Sequence, residues 1–414
     1  MATVSEEFFE YRLANGLTLV AEKMHGVRSA AFTLLIGAGA AFDPPERGGL
    51  SALLADLVFR GAGRRTSRQV TTDLDNLGLQ RGEGVESVHT SYFAATLGSN
   101  LIAALEIYAD IVRRPHLPVA EVDAVRALAL QELQALEDEP RQKIFVELRG
   151  RHFPFPFGRP TVGVREVLES ATHQELADHH ARAHRPNGAI LAVAGYIDWP
   201  QLRDAVERLF GDWPAGENLA LKAGTRGPKT DHMDQEATQT QIGIAYNTVP
   251  YRDPEYFKAQ GAVTVLSGGS SSRLFTEVRE KRGLCYAVFA SYQSLPDMGA
   301  VVCYAGTTNE RAQETLDVTL GEITRLTRGI DADEVARAQA GLKASLIMQG
   351  ESSSARSSAV AADWYHLKRV RQLSEMQAAI DALSPQSIIE HLERYPPKDF
   401  TILTLGPKRL VVGG

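Results

Sequence analysis

The second half of this sequence runs through the same order of elements as the first, and that internal repeat restricts the fold more than any single motif. In the first half an apolar, strand-like stretch at residues 30–36 leads through a loop containing Asp43-Pro44 into a helical pattern over residues 48–60. In the second, residues 241–246 lead through Asp253-Pro254 into a helical pattern that runs to residue 266. Strand-like stretches follow at 85–97 in one half, and at 286–292 and 300–306 in the other. Each half then has a helix opened by an asparagine, 100–114 and 309–328, where Asn can cap first-turn amides. A second long helix comes next, 119–137 and 332–348. Thr172-His173-Gln174-Glu175 has capping-box spacing, and Ser384-Pro385 places proline in a first helical turn. Both helices lead into closing strands, 189–194 and 400–405.

The first half adds one helix, 200–210, before a stretch with Gly, Pro and Lys at 211–231 that reads as a linker. Runs of strands interleaved with helix pairs predict an α+β fold of two tandem domains, 1–212 and 232–414, joined by 213–231. A chain of 414 residues, 44% hydrophobic and 23% charged, can bury two cores. A net charge of −7 argues against nucleic acid as a partner, because phosphate binding needs basic clusters. The densest basic run, Arg60 to Arg68, reads as a solvated helix end. Cys285 and Cys303 lie in strand-like stretches and read as reduced, packed thiols. No apolar run reaches the ~18–20 residues of a membrane span, so no membrane association is expected. Residues 1–20 lack a basic segment followed by an apolar one. The default compartment is the cytoplasm, or the periplasm if a leader has been removed.

Two segments carry the chemistry. In the helix at 48–60, Leu50, Leu53, Leu54, Leu57 and Val58 make a one-sided stripe, with Ala52, Ala55 and Asp56 on a neighbouring flank. Positions 52 and 56 are one turn apart and project from one face. In the second half, Gly268-Gly269 makes a loop, Ser270 to Ser272 start a helix, and Gly283 stops it. A strand follows in which Leu284, Tyr286, Val288, Ala290 and Tyr292 share one face. Arg279 then sits in the last helical turn and Tyr286 at the strand start, close enough to serve one site. Two readings stand side by side. A helix-terminal arginine can simply favour the helix dipole and a strand tyrosine can simply pack, or the two act together on a ligand. The Ser/Gly loop lacks the Gly-Lys-Ser/Thr ending of a phosphate loop.

The order of elements, the run Val58-Phe59-Arg60-Gly61 and the run from Ser267 to Tyr286 together resemble the pitrilysin/insulinase family of zinc peptidases. The resemblance extends from Phe9 to the last strand. It implies two tandem homologous α/β-sandwich domains of the pitrilysin/mitochondrial-processing-peptidase type. In that family the first helix carries His-x-x-Glu-His, two zinc-binding histidines around a general base. Aligned on Phe59-Arg60-Gly61, the histidine positions are Ala52 and Asp56, and the glutamate position is Ala55. The family's third ligand, a glutamate on a later helix, falls at Glu132. With no imidazole and no base, the chain is expected to bind no zinc itself. Glu132 also reads as a half-buried carboxylate with a basic neighbour. His179, His180 and His184 include an i, i+4 pair, but the segment resembles the family's structural run-in to its closing strand.

Arg279 and Tyr286 match an arginine and a tyrosine, seven positions apart, that contact bound peptide in the family. By that resemblance the arginine holds substrate carbonyls and the tyrosine hydroxyl steadies charge at the scissile carbonyl. Some bacterial members work as pairs, one subunit with the zinc motif and its mate with the arginine and tyrosine. The resemblance therefore implies a zinc-free subunit, inactive alone. It would close with a zinc-binding homologous partner, as a heterodimer, around an unstructured peptide. Zinc-free scaffold subunits, as in the respiratory cytochrome complex, and a peptide-binding homodimer are the other roles that it leaves open.

Overall fold

The computed structural model describes residues 6–412; residues 1–5 and 413–414, at the outer ends of the two expected domains, lie outside them. Two compact units form. The first holds β1 (Glu7–Arg12), β2 (Thr18–Lys23), β3 (Ser29–Ile36), the two-residue pair β4 (Gly61–Ala62) and β5 (Arg65–Thr66), β6 (Gln80–Val85), β7 (Thr90–Leu97) and β8 (Ile190–Gly195). Its main sheet has the order β1-β2-β8-β3-β7-β6. The second unit holds β9 (Thr230–Asp234), β10 (Gln239–Thr248), β11 (Cys285–Leu295), β12 (Met298–Thr308) and β13 (Thr401–Gly406), in the order β11-β12-β10-β13-β9.

The repeat read from the sequence is exact at the level of topology. From β6 inward the pairings are antiparallel, antiparallel, antiparallel, then parallel. From β11 inward they run in the same sequence of senses. The first unit adds only β1 at its far edge.

Both sheets are apolar on both faces. Every residue of β8 and of β13 is buried. In the second unit, Ile242, Ile244, Val301, Cys303 and Ile402 face one core, with Leu266, Leu316 and Ile388 of its helices. The alternate residues Ala245, Val302, Tyr304, Leu403 and Leu405 face another, made with Ile144 and Leu148. That second cover is the helix Pro140–His152, which lies on β10 and β13. Gly243 lets it come close: a Cβ there would stand 3.1 Å from Leu148 Cδ2. In the first unit the corresponding cover is the helix Ser353–Leu367, lying on β2, β3 and β8. Its small residues allow hydroxyl contacts, Ser29 Oγ to Ser353 Oγ and Thr33 Oγ1 to Ser357 Oγ, both 3.1 Å.

These two helices are absent from the sequence-derived repeat, and they change how the chain is shared out. Residues 349–370 belong to the first unit and residues 136–154 to the second. The compact units therefore depart at those segments from the contiguous ranges 1–212 and 232–414. The stretch after Trp213 is irregular up to β9, which begins inside the expected linker at Thr230.

A shared device pins the first helix of each unit. In both, a histidine on the capping-box helix, the seventh residue after the cap, bonds a carboxylate at the start of that unit's first long helix. His179 Nε2 lies 3.0 Å from Asp43 Oδ1, and Asp43 also accepts from the amides of Gly49 and Ser51 and the Ser51 hydroxyl. His391 Nδ1 lies 2.9 Å from Glu255 Oε2, and Glu255 is the N-cap of the helix Tyr256–Ser267. The asparagine caps do not form. Asn100 donates to the Leu77 carbonyl, and Asn309 donates to the Ala237 carbonyl and accepts from Thr240, so both tie loops to strands.

One buried ion pair holds the helix Ser353–Leu367 to its sheet: Arg356 Nε and Nη2 each lie 2.7 Å from Glu22 Oε2, with both residues buried. Arg356→Met strands the Glu22 charge and is expected to cost about 3–5 kcal/mol, read by urea denaturation. The double variant Glu22→Leu/Arg356→Met should recover most of that loss.

Candidate functional site

In the second unit the chain makes a sharp corner between a helix and β11. Residues Phe275–Glu280 form a π-helical turn, a wider winding in which the Lys281 amide bonds the Thr276 carbonyl. Gly283, at φ +56, ends it in the left-handed region, its amide bonding the Arg279 carbonyl. The next strand begins with a β-bulge. Cys285 pairs with Thr307 and Ala287 with Gly306, so Tyr286 is the extra residue without an opposite.

The bulge overturns one expectation. Tyr286 does not share the face of Val288 and Ala290, which are buried in the core. It is turned out to solvent and is 81% exposed. Its ring meets Arg279: the guanidinium carbon lies 5.1 Å from the Tyr286 ring centroid and 4.7 Å from that of Phe275. Arg279 is thus held by two aromatic rings. Its N–H groups have no protein acceptor among the described residues, and the Tyr286 hydroxyl likewise has no partner. The arrangement presents planar donors and a phenol to whatever lies outside the corner.

In the first unit, Asp43 and its partners start the helix Leu50–Leu57. Leu50, Leu53, Leu54 and Leu57 are buried as expected, while Ala52, Ala55 and Asp56 are partly exposed. Glu132 lies on the helix Val122–Asp138, whose buried face runs through Val125, Ala129 and Leu133. It is exposed and has no basic partner among the described residues, which overturns the half-buried, paired reading. Partial desolvation of the carboxyl by its surroundings and the nearby Asp56 raise it above the usual range. Glu83 of β6, which the sequence reading did not single out, feels the same two influences, partly offset by Arg81. The packing of the helix Leu50–Leu57 against β6 brings Glu83 to Asp56, so no local signal could have found it.

The three histidines are structural. Besides its bond to Asp43, His179 accepts at Nδ1 from Arg182, 3.2 Å. His180 Nε2 donates to the Val112 carbonyl and His184 Nε2 lies 3.2 Å from the Tyr92 hydroxyl. Burial holds His180 down to about 4, and burial and its histidine neighbours hold His184 well below the ordinary imidazole value.

Comparison with known proteins matches residues 18–161 to the family described as Insulinase (Peptidase family M16) and residues 170–342 to the Peptidase M16 inactive domain. The chain belongs to peptidase family M16. An uncharacterized zinc protease of Rickettsia felis is 26% identical over 98% of this chain and 99% of its own length. One of Mycobacterium bovis is 28% identical over 95% and 92%. Among solved structures, a peptidase M16 inactive domain from Pseudomonas fluorescens has a TM-score of 0.89 at 20% identity, covering 98% of each chain. A chain of complex III2 from Candida albicans has a TM-score of 0.83 at 21% identity, covering 96% of each. The two-unit α+β architecture is therefore the M16 fold.

Within that family this chain lacks the zinc motif. Around the helix Leu50–Leu57 the chain offers the methyl groups of Ala52 and Ala55 and the carboxylates of Asp56 and Glu132, with no nitrogen or sulfur donor among these four residues. Among the described residues no group of three or more His, Cys, Asp or Glu side chains is placed to hold a metal ion. Zinc, which takes four ligands including nitrogen or sulfur in such sites, does not fit this donor set. No helix among the described residues is long and apolar enough to cross a membrane.

Two outcomes follow from the corner and the helix start. A Cβ on Gly283 meets nothing within 4 Å, so the cost of Gly283→Ala is conformational alone. It should be about 1 kcal/mol by chemical denaturation, with Gly283→Asn costing less. For Asp43, burial pushes the carboxyl up, but His179, Gly49 and Ser51 more than offset it and leave it below the ordinary value of 3.8. A depressed carboxylate contributes stability above its unfolded value and loses it as pH falls through its folded value. Asp43→Asn should cost about 2 kcal/mol at neutral pH. The gap to the parent chain, followed by denaturation at stepwise pH, should narrow below 3.8.

Proposed function

We propose that this chain is the zinc-free subunit of an M16 peptidase pair, which binds unfolded peptide through Arg279 and Tyr286 and completes the active site of a zinc-bearing homologous partner. The observation that carries this reading is the outward-turned Tyr286 stacked on Arg279. An aromatic ring 81% exposed contributes little packing, and an arginine with no protein acceptor stabilises no carboxylate. A structural role gives no reason for a bulge that lifts a tyrosine out of its core face. A peptide does: guanidinium N–H groups donate to its carbonyls, and a phenol placed at a reacting carbonyl stabilises developing negative charge.

The first unit supports the same reading. β6 is a sheet edge, two of its six residues are glycine, and Gln80, Arg81 and Glu83 are exposed. An extended peptide can add to such an edge by main-chain hydrogen bonds, which suits substrates without structure of their own. The zinc and the general base come from the partner, since the donor set here supplies neither.

A scaffold role is the second reading, favoured by the likeness in fold to a chain of complex III2. Hydrolysis of a quenched, unstructured peptide separates the two. The chain alone should cut nothing, while its mixture with an M16 subunit bearing His-x-x-Glu-His should cut, with zinc only on the mate. Tyr286→Phe and Arg279→Ala should each lower kcat/KM of the mixture by about 10²-fold without dissociating it. Unchanged rates in both variants would leave the scaffold reading, and zinc-dependent cleavage by the chain alone would overturn the proposal.

A further inference from the structure

The corner that carries Arg279 and Tyr286 rests on a second set of side chains, on the inner side of the same π-helical turn. Glu277 is at its centre. Its side chain is only 12% exposed, and its carboxylate accepts from Lys281 Nζ at 2.6 Å and from Arg282 Nη1 at 2.8 Å. The same Arg282 nitrogen also donates to the Glu277 carbonyl, 2.7 Å. Arg325 adds a more distant charge at 3.8 Å and is itself held at 2.7 Å by Glu322. At the start of the turn, Arg273 donates Nε and Nη2 to the two oxygens of Glu334, each 2.7 Å.

Lys281 and Arg282 are the two residues between the π-helical turn and Gly283. Drawing both back onto Glu277 fixes the end of the turn just where the chain reverses. Arg279 lies between these anchors on the opposite side, where Phe275 and Tyr286 hold it. The helix and the strand each carry one extra residue here, as a π-turn and as a bulge. Neither irregularity is the low-energy form of its element, so something must hold them. Bonds from Lys281 and Arg282, with Arg325 nearby, keep the Glu277 carboxylate down at about 2, so the anchor stays charged through the physiological range.

We infer that Glu277 is a positioning residue: by binding Lys281 and Arg282 it holds the π-helical turn that stacks Arg279 against Tyr286. The geometric claim stands by itself, while its consequence for peptide rests on the peptide-binding reading above. The chain would then recognise peptide through a pair whose spacing is set from behind, by a residue that touches no substrate.

The test places 3-fluorotyrosine at position 286 in the full chain and follows its fluorine resonance, with thermal melting as a control for folding. Arg279→Met defines the shift of the unstacked ring. Glu277→Ala should move the resonance toward that position, Glu277→Gln should move it less, and Arg282→Met, at an exposed side chain, should move it in the same direction. Affinity for an unstructured fluorescent peptide should fall about tenfold in Glu277→Ala, as expected when a binding group is displaced by an ångström or so. A resonance unmoved in both Glu277→Ala and Arg282→Met overturns the inference. Should the resonance move while the parent chain binds no peptide, the positioning role stands and the peptide-binding reading fails.

Discussion

Each sheet of this protein is apolar on both faces, and a sheet of that kind is stable only when helices cover it twice. Each unit's own helices supply one cover. The other comes from a single helix remote in sequence, Pro140–His152 in the second unit and Ser353–Leu367 in the first. Ile144 and Leu148 close one of these faces over Gly243, and Arg356 closes the other over Glu22. The remainder of the fold depends on this double cover, since without it Leu403, Leu405, Val20 and Ala192 would face water. It also makes the two halves of the chain interdependent for folding, although the repeat alone would let each stand as a separate domain.

On that frame the two units present different side chains. The first helix of the first unit is anchored through Asp43 and His179 and carries no His-x-x-Glu-His motif. Ala52 and Ala55 leave only carboxylates nearby, and among the described residues Asp56 and Glu132 form no ion pair, while Arg81 only partly offsets the charge of Glu83. The second unit keeps a corner of two local irregularities with an aromatic ring turned outward. Anchoring without a zinc motif in one unit, and an exposed cationic and phenolic pair in the other, are the observations on which the proposed role as a zinc-free subunit rests.

Much of this was legible in the sequence because it is written in local signals. Capping residues, glycine stops and apolar periodicity located the repeat, and the absence of histidine at 52 and 56 needs no coordinates. The seven-residue spacing of Arg279 and Tyr286 was readable too. Their contact was expected, but the reason for it was not: alternation along a strand placed Tyr286 with Val288, and only the pairing with β12 shows the bulge that turns it out. The asparagine caps failed for a related reason. Asn100 and Asn309 find better partners in Leu77 and Ala237, which are distant in sequence.

By itself the sequence determined the repeat, the missing zinc motif and the seven-residue spacing of the arginine and the tyrosine, all of which depend on residue type and short spacing. The tertiary structure decided the rest. It set which helix covers which sheet, brought Glu83 to Asp56, and placed Glu277 behind Arg279. It also assigned His179 and His391 to equivalent carboxylates in the two units. These depend on register, on local backbone irregularity and on packing between elements, where periodicity along the chain carries no information about the partner.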